Sequence, residues 1–506
     1  MEAQEPQIGI PPKRAAWLDF LTRLQHSQGR QAGWAGSGSH GESGQLSLEE
    51  RRMSEPKRIV ILGGGFGGLY AALQFEQALA RRQDMEVTLV NRDNFILFTP
   101  MLHEVAASDI DITHIVTPLR KLLRRVRFFD GEVEGIDLEQ KKVSVSHGVE
   151  HHHHELGYDH LVLALGSVTN FFHLPGLAER ALTMKSLGDA IQLRNLLIER
   201  LEAGDFECAL GARDELLTFV VAGGGFAGVE TGAAMNDFLR EAAEFYPHLS
   251  EEQIRVVLVH PGEVILPELG PKLGAYAQKK LAERKVEIRS NTRVTGISDR
   301  GVALDDGTTI PTQTLVWTAG ISPNPLLATL TCEKERGRVK VDANLEVPHW
   351  PGVWALGDCA SITDPQTGTP YPPTAQHALR EGKVVAENIL AAMAGKKKRP
   401  FVFRTLGQLA AIGRRTGVAN ILGWNFSGFV AWWLWRSIYL MKLPGFERKL
   451  RVMLDWTLDL LFSKDLVQFM TLRAPAVSHG ETERPEAGGE TQAASRTAAS
   501  RTAASS

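Results

Sequence analysis

Cysteine is scarce. The chain has 506 residues and three cysteines, Cys208, Cys332 and Cys359, with no C-x-x-C or metal-type spacing among them. That usage argues against a disulfide framework and suits a reducing compartment. Residues 1–30 have no apolar core and carry acids at Glu2, Glu5 and Asp19, so they are not expected to act as a signal or transit peptide. Net charge is small, at −3, and by itself says nothing about partners. What is present is enough chain for two or three domains with sizeable cores. The composition, 43 % hydrophobic and 23 % charged, is that of an ordinary globular protein.

Two stretches repeat one phrase. Ile59-Val-Ile-Leu-Gly63-Gly-Gly65-Phe-Gly-Gly68 and Phe219-Val-Val-Ala-Gly223-Gly-Gly225-Phe-Ala-Gly228 lie 160 residues apart. Each is a short apolar run, then G-x-G-x-x-G, then a helix-like pattern. A strand, tight turn and helix of this kind aim backbone N–H groups and a helix N-terminus at a pyrophosphate. The first glycine permits the turn, the second lets the phosphate approach, and the third lets helix and strand pack. One match is weak. Two, both entered from an apolar strand, point to two dinucleotides in one enzyme and to electron transfer between them.

The first phrase predicts a βαβ unit with a strand at 58–62, a helix from Leu69 to Arg82 and a strand from Val87 to Val90. The second predicts a helix with Met235, Phe238, Leu239 and Ala242 on one face, then a strand from Arg255 to Val259. An acidic residue usually ends the second strand of such a unit and holds a ribose hydroxyl. Here Asn91 and His260 stand in that place, with Asp93 a substitute for the first. Asn91 offers an acceptor without charge. His260 does not repel a 2′-phosphate and attracts one when protonated, which leaves NADPH open beside NADH.

Further apolar strands end at Gly166, Gly320 and Gly357-Asp358. Helices are expected over 187–207 and from Pro372 to Met393. Residues 95–118, containing Phe-Ile-Leu-Phe-Thr-Pro100-Met-Leu-His103, read either as a functional loop or as aromatic core. His151–His154 fall in an expected turn between two strands, where a solvated loop is preferred to a metal site. Residues 1–56 and 474–506 read as disordered, with either a choice of start at Met53 or a dispensable arm over 1–52 expected.

This ordered set resembles the two-dinucleotide flavoproteins, in which an NAD(P)H domain is inserted into an FAD domain. Asn91-Arg-Asp-Asn-Phe-Ile-Leu-Phe-Thr-Pro-Met-Leu, Gly228-Val-Glu230 and Ala375-Gln376-x-Ala378-x-x-x-Gly382 are similar to the type II NADH dehydrogenases, the single-subunit NADH:quinone oxidoreductases. The likeness implies an α/β fold with two Rossmann-like dinucleotide-binding domains plus C-terminal membrane-associating helices. It puts the FAD domain at 57–178 and 321–395, the NAD(P)H domain at 179–320 and the anchor helices at 396–473. FAD would be held by Gly63, Gly65, Phe66, Gly67, Gly68, Asn91, Arg92, Gly166, Gly357, Asp358, Ala375 and Gln376, with Asp358 on the ribityl chain. NADH would lie on Gly223, Gly225 and Gly228, with His260 and Gly320 nearby and Glu230 close to both rings. Glu230 and Gln376 are the implied catalytic residues, and Gln376 and Arg380 face the quinone. The family motif often has a second Gln where Arg380 stands, so that cation either alters quinone preference or faces solvent. The implied reaction passes a hydride from NADH to FAD and then two electrons to a membrane quinone, without proton pumping. Glu230 either relays protons or caps the first turn of its helix.

The C-terminal part differs in character. Lys396 to Arg473 carries 14 Lys/Arg against 4 Asp/Glu, which leaves −13 on the rest of the chain. Such a basic segment suits an anionic surface. Five of the ten tryptophans fall between Trp424 and Trp456. From Val418 to Trp435 no residue is charged, and as one helix the run would span ~27 Å, near the ~30 Å of a bilayer core. Gly423, Asn425, Ser427 and Gly428 break it. A following helix from Arg448 to Phe469 would place Leu450, Leu454, Leu458 and Leu461 on one stripe. The pattern favours a bilayer surface bound through residues 400–473, ahead of a homodimer interface or a spanning helix, and argues against nucleic acid. The expected location is peripheral, on a membrane facing a reducing compartment such as the cytoplasmic side of the cell membrane.

Two other enzyme readings need cysteines: a disulfide reductase near the first glycine turn, a sulfide:quinone oxidoreductase beside the flavin. Cys208, Cys332 and Cys359 do not suit either place. A redox-sensing or interaction flavoprotein with low turnover stays open, with Asn91, His260 and Arg380 in its favour.

Overall fold

The computed structural model describes residues 55–469. The disorder expected at 474–506, the start at Met53 and all but the last two residues of the 1–56 extension lie outside them. Continuous apolar runs, rather than alternating ones, demand cover on both faces of a strand, which is the condition of a parallel sheet. Strands β1 (Lys57–Leu62), β2 (Met85–Asn91), β3 (Arg127–Asp130) and β4 (His160–Leu163) pair in parallel, with Ile61 beside both Leu89 and Val162. Helix α1 (Phe66–Leu79) joins β1 to β2. It starts three residues earlier than the glycine pair suggested, because Leu69 N–H already bonds Gly65 O at 3.0 Å. In the 95–118 stretch, Phe95–Leu97 pairs antiparallel with Val116–Pro118, and between them lies the single-turn helix α2 (Leu102–Ala106).

After α3 (Leu187–Phe206), strands β5 (Thr218–Ala222), β6 (Arg255–Val259), β7 (Val286–Arg289) and β8 (Thr314–Trp317) form a second parallel sheet, ordered β7-β6-β5-β8. Helix α4 (Phe226–Ala243) joins β5 to β6. Strand β9 (Val353–Ala355) then returns to the first sheet, ordered β9-β4-β1-β2-β3. The second sheet is therefore inserted in the chain between β4 and β9. In each sheet the strand that enters the glycine turn is flanked by parallel neighbours on both sides and is sealed from water at its end: Ile61, Leu62, Val220 and Val221 are fully buried.

Helix α5 (Ala375–Met393) packs on α1 so closely that a Cβ on Gly382 would lie 2.2 Å from Gly67 O. Beyond it, β10 (Gly407–Ala411), β11 (Gly417–Ile421) and β12 (Trp424–Ser427) make an antiparallel meander, followed by α6 (Gly428–Lys442) and α7 (Phe446–Leu458). The charge-free run 418–435 is thus a hairpin plus half a helix. Among the described residues no helix is long and apolar enough to cross a membrane. The helix expected to reach Phe469 stops at Leu458. Lys464 turns inward there, pairing with Asp109 at 2.5 Å and donating to Ala107 O, so the chain leaves the helical path. The histidine run is also corrected. His152–Gly157 is a strand paired with Lys142–His147, and His147 stacks on His154 across the pair. Among the described residues no cluster could hold a metal ion.

Candidate active site

The two glycine turns are built alike. Gly63 and Gly223 have φ of +102° and +117°, a region that L side chains rarely adopt. A Cβ on Gly68 would lie 1.9 Å from Gly63 O, and one on Gly228 would lie 1.8 Å from Gly223 O, so each helix sits directly on its turn. A Cβ on Gly65 or Gly225 would instead meet nothing within 4 Å. The open side of each turn faces the first N–H groups of α1 or α4, which have no acceptor within their own helix. An open backbone cradle at a helix N-terminus fits a dinucleotide pyrophosphate.

Asn91 and His260 do something the sequence did not announce. Asn91 Oδ1 accepts from Gly64 N at 2.7 Å, and His260 Nδ1 accepts from Gly224 N at 3.2 Å. Each residue at the strand end ties down the middle of its own turn. Burial holds His260 below the usual histidine range, against a backbone hydrogen bond with Val264 and the charge of Glu268. Its Nδ1 must stay unprotonated to accept from Gly224. The charged ring expected to attract a 2′-phosphate would break that tie. Arg92 is exposed and pairs with Asp93 at 3.7 Å, while Phe66 packs edge-on against Phe98 with centroids 5.9 Å apart.

Where β4 and β9 end side by side, Gly166 N donates to Cys359 Sγ at 3.0 Å, and Ser167 Oγ donates to Asp358 Oδ2 at 2.6 Å. Lys185 Nζ donates in turn to Ser167 Oγ at 2.8 Å. Gly357 N donates to Glu381 Oε2 at 2.7 Å, and burial pushes that carboxyl up to about 7. Cys359 is fully buried and its thiol is pushed up to about 12, first by burial, so it is a packed residue rather than a nucleophile. Gly320 lies against the Phe172 ring, where a Cβ would sit 2.6 Å away. From the first turn of α5, which opens at Ala375, Gln376 Nε2 donates to Gly407 O at 2.7 Å. Arg380 Nη1 donates to Gln376 O at 2.7 Å, and its guanidinium lies 4.1 Å from the Phe403 ring centre.

Glu230 occupies the most unusual setting. It is buried in the second turn of α4, yet its partners come from the far end of the chain. Glu230 Oε1 accepts from Ala411 N on β10 at 3.0 Å and from Trp435 Nε1 on α6 at 2.9 Å. Its other oxygen lies 3.9 Å from His103 Nδ1 on α2. Burial pushes Glu230 up to about 8, against the two N–H donors and helped by the charge of Glu104. Burial also pushes His103 down to about 3, and its buried Nε2 has no hydrogen-bond partner. Glu104, and Arg436 paired with it at 3.8 Å, escaped sequence reasoning, while His103 and Trp435 were read only as parts of longer stretches. The available signal was the His-Glu pair closing the apolar 95–102 stretch and the single Arg ending the charge-free run.

Two open glycine cradles on separate parallel sheets, with one buried acid between the inserted unit and the C-terminal helices, define a pyridine-nucleotide-linked flavoprotein oxidoreductase. Residues 57–382 match the family model for pyridine nucleotide-disulphide oxidoreductases, and residues 406–465 match that of the NDH2 C-terminal domain. The chain is 34 % identical over 439 residues to a type II NADH:quinone oxidoreductase of Mycobacterium tuberculosis, covering 83 % of this chain and 92 % of that protein. It is 32 % identical over 410 residues to a demethylphylloquinone reductase of Synechocystis, covering 79 % and 95 %. In fold it is similar to NDH2 of Plasmodium falciparum in complex with NADH, with a TM-score of 0.76 at 19 % identity, covering 82 % and 100 %. The chain belongs to the type II NADH:quinone oxidoreductases, within the pyridine nucleotide-disulphide oxidoreductase family.

Proposed function

We propose that this chain oxidises NADH, passes the electrons through FAD and reduces a quinone drawn from a membrane to which it binds peripherally, without pumping protons. The observation that carries the reading is Glu230, a buried acid that Ala411 and Trp435 hold between the inserted unit and the C-terminal segment, with its carboxyl raised by burial. FAD, when bound, supplies the two-electron carrier between the two substrates. The first turn, from Gly63 to Gly68, would hold its pyrophosphate and Asp358 its ribityl hydroxyls; the second turn would hold NADH. NADH is preferred over NADPH because a neutral His260 offers a 2′-phosphate no charge. The apolar lining of Phe98, Trp435 and Tyr439 excludes water, which strengthens every field in the site. Gln376, fixed by Gly407, would orient the quinone, with Arg380 stacked behind it. Glu230 would give its proton to a quinone oxygen.

Membrane contact is supported by the outward faces of α6 and α7. Phe429, Val430, Trp433, Leu450, Leu454 and Leu458 are all exposed there, in the basic segment of the chain. Exposed aromatics with nearby cations suit a bilayer surface. The test is steady-state oxidation of NADH and NADPH with several quinones, with and without anionic vesicles. Faster turnover on NADH, raised by lipid, is the expected result. FAD that NADH reduces but no quinone reoxidises would favour the interaction flavoprotein instead.

A further inference from the structure

Around Glu230 the buried charges do not cancel. The segment holding α2 contributes His103, Glu104 and Asp109, α6 contributes Arg436 and Tyr439, and the chain beyond α7 contributes Asp459 and Lys464. Lys464 is matched by Asp109 at 2.5 Å. Asp459 faces Lys464 and Arg414 as well as Arg436. His103 is kept uncharged by burial. Arg436 alone faces Glu104, at 3.8 Å, with its guanidinium 4.4 Å and 4.6 Å from the ring centres of Trp432 and Trp456.

The two carboxyls are served by neighbouring indoles. Trp435 Nε1 donates to Glu230 at 2.9 Å and Trp456 Nε1 to Glu104 at 3.2 Å, with ring centroids 6.5 Å apart. One guanidinium therefore pairs with Glu104, while Glu230 is held by two uncharged N–H donors. With both ionised, the pocket would hold an unmatched negative charge, the state that burial penalises most.

We propose that Glu104 is a positioning residue for Glu230: the two carboxyls share one proton, and Glu104, matched by Arg436, keeps that proton on Glu230. The inference rests on the NADH:quinone reading. Reduction of a quinone by NADH takes up one proton from solution. The hydride carries two electrons and one proton, and the second proton completes the other O–H bond of the quinol. That second proton leaves the Glu230 carboxyl as the quinone O–H bond forms. Glu230 then stands ionised without a paired cation, beside an ionised Glu104, and draws its next proton from water. Burial raises both carboxyls; the charge of Glu104 raises Glu230 further, while Arg436 and the Trp456 donor draw Glu104 back toward its charged form, against Asp109 and Asp459.

The test compares Glu104→Gln with Glu104→Asp, which keeps the charge. Removing the charge at 104 should move the alkaline limb of quinone-driven flavin reoxidation about one pH unit lower, a tenfold change in proton affinity. The rate of flavin reduction by NADH should be unchanged, and Glu104→Asp should stay near the parent profile. Independently of turnover, infrared titration of the oxidised holoprotein should show a protonated-carboxyl band at neutral pH. The Glu230 component of that band should be lost in Glu230→Gln, leaving that of Glu381, and should titrate about one unit lower in Glu104→Gln. An unmoved limb and band in Glu104→Gln, or equal shifts in Gln and Asp variants, would overturn the proposal. If Glu104→Gln fails to retain FAD, the parent and Glu230→Gln spectra decide, and a band undiminished in Glu230→Gln overturns it. Failure of the functional reading looks different: flavin in the unaltered protein that NADH does not reduce, or that no quinone reoxidises.

Discussion

Replacing Glu230 by glutamine should separate stability from chemistry. Glutamine keeps an oxygen for Ala411 N and Trp435 Nε1 and mimics the protonated acid, so little is lost where the acid is already protonated. The folded carboxyl sits at about 8 against an ordinary 4.5. Below the ordinary value both folded and unfolded chains hold the proton. As pH rises from there toward 8 the unfolded chain sheds it first, so the parent loses stability across that window. At about 1.4 kcal/mol per pH unit the ceiling is about 5 kcal/mol. Relaxation and residual solvation reduce this to roughly 1–3 kcal/mol. Urea unfolding of the FAD-loaded proteins at pH 5 and pH 9 reads it directly. The variant should match the parent at the lower pH and exceed it at the higher. A parent-to-variant difference that is the same at both would refute a buried, proton-holding Glu230. Quinone reduction by the variant should fall by ~10²–10⁴-fold, the usual range for a lost general acid.

The two kinds of glycine in each turn should behave oppositely. Gly65→Ala meets nothing in the protein, so it should fold normally yet copurify with little FAD, whereas Gly68→Ala drives a methyl to 1.9 Å from Gly63 O and should lower the melting temperature as well. Changing Trp433 and Leu454 together to glutamate should leave bound FAD unaltered and reduce sedimentation with anionic vesicles; unchanged sedimentation would put the membrane contact elsewhere. The ratio of NADPH to NADH turnover should not rise as pH falls from 8 to 7, because burial holds His260 below the usual histidine range; a rising ratio would mean the ring charges and releases Gly224.

Local features were legible in the sequence because local chemistry dictates them. The apolar runs at 59–62 and 219–222 became buried central strands, and the glycine spacing became two turns of one shape. Long-range pairings were not legible. Ala411 and Trp435 reach Glu230 across 181 and 205 residues, and no periodicity encodes such a meeting. His152–His154 misled because a polar stretch reads as a turn, while on an edge of a small sheet its side chains are solvated anyway. The helix after Arg448 ran too long on paper because the leucine stripe continues to Leu461, although the inward pull of Lys464 ends it.

Helix α6 has two employers. Phe429, Val430 and Trp433 look outward, while Trp435 and Arg436 grip Glu230 and Glu104. The tail is therefore not a module. Trimming α6 and α7 to obtain a detergent-free protein would strip one hydrogen-bond donor from each of two buried acids, and grafting them from a relative would import that relative's acid chemistry along with its surface. Any lipid that tilts α6 would be felt at Glu230 before it was felt by NADH.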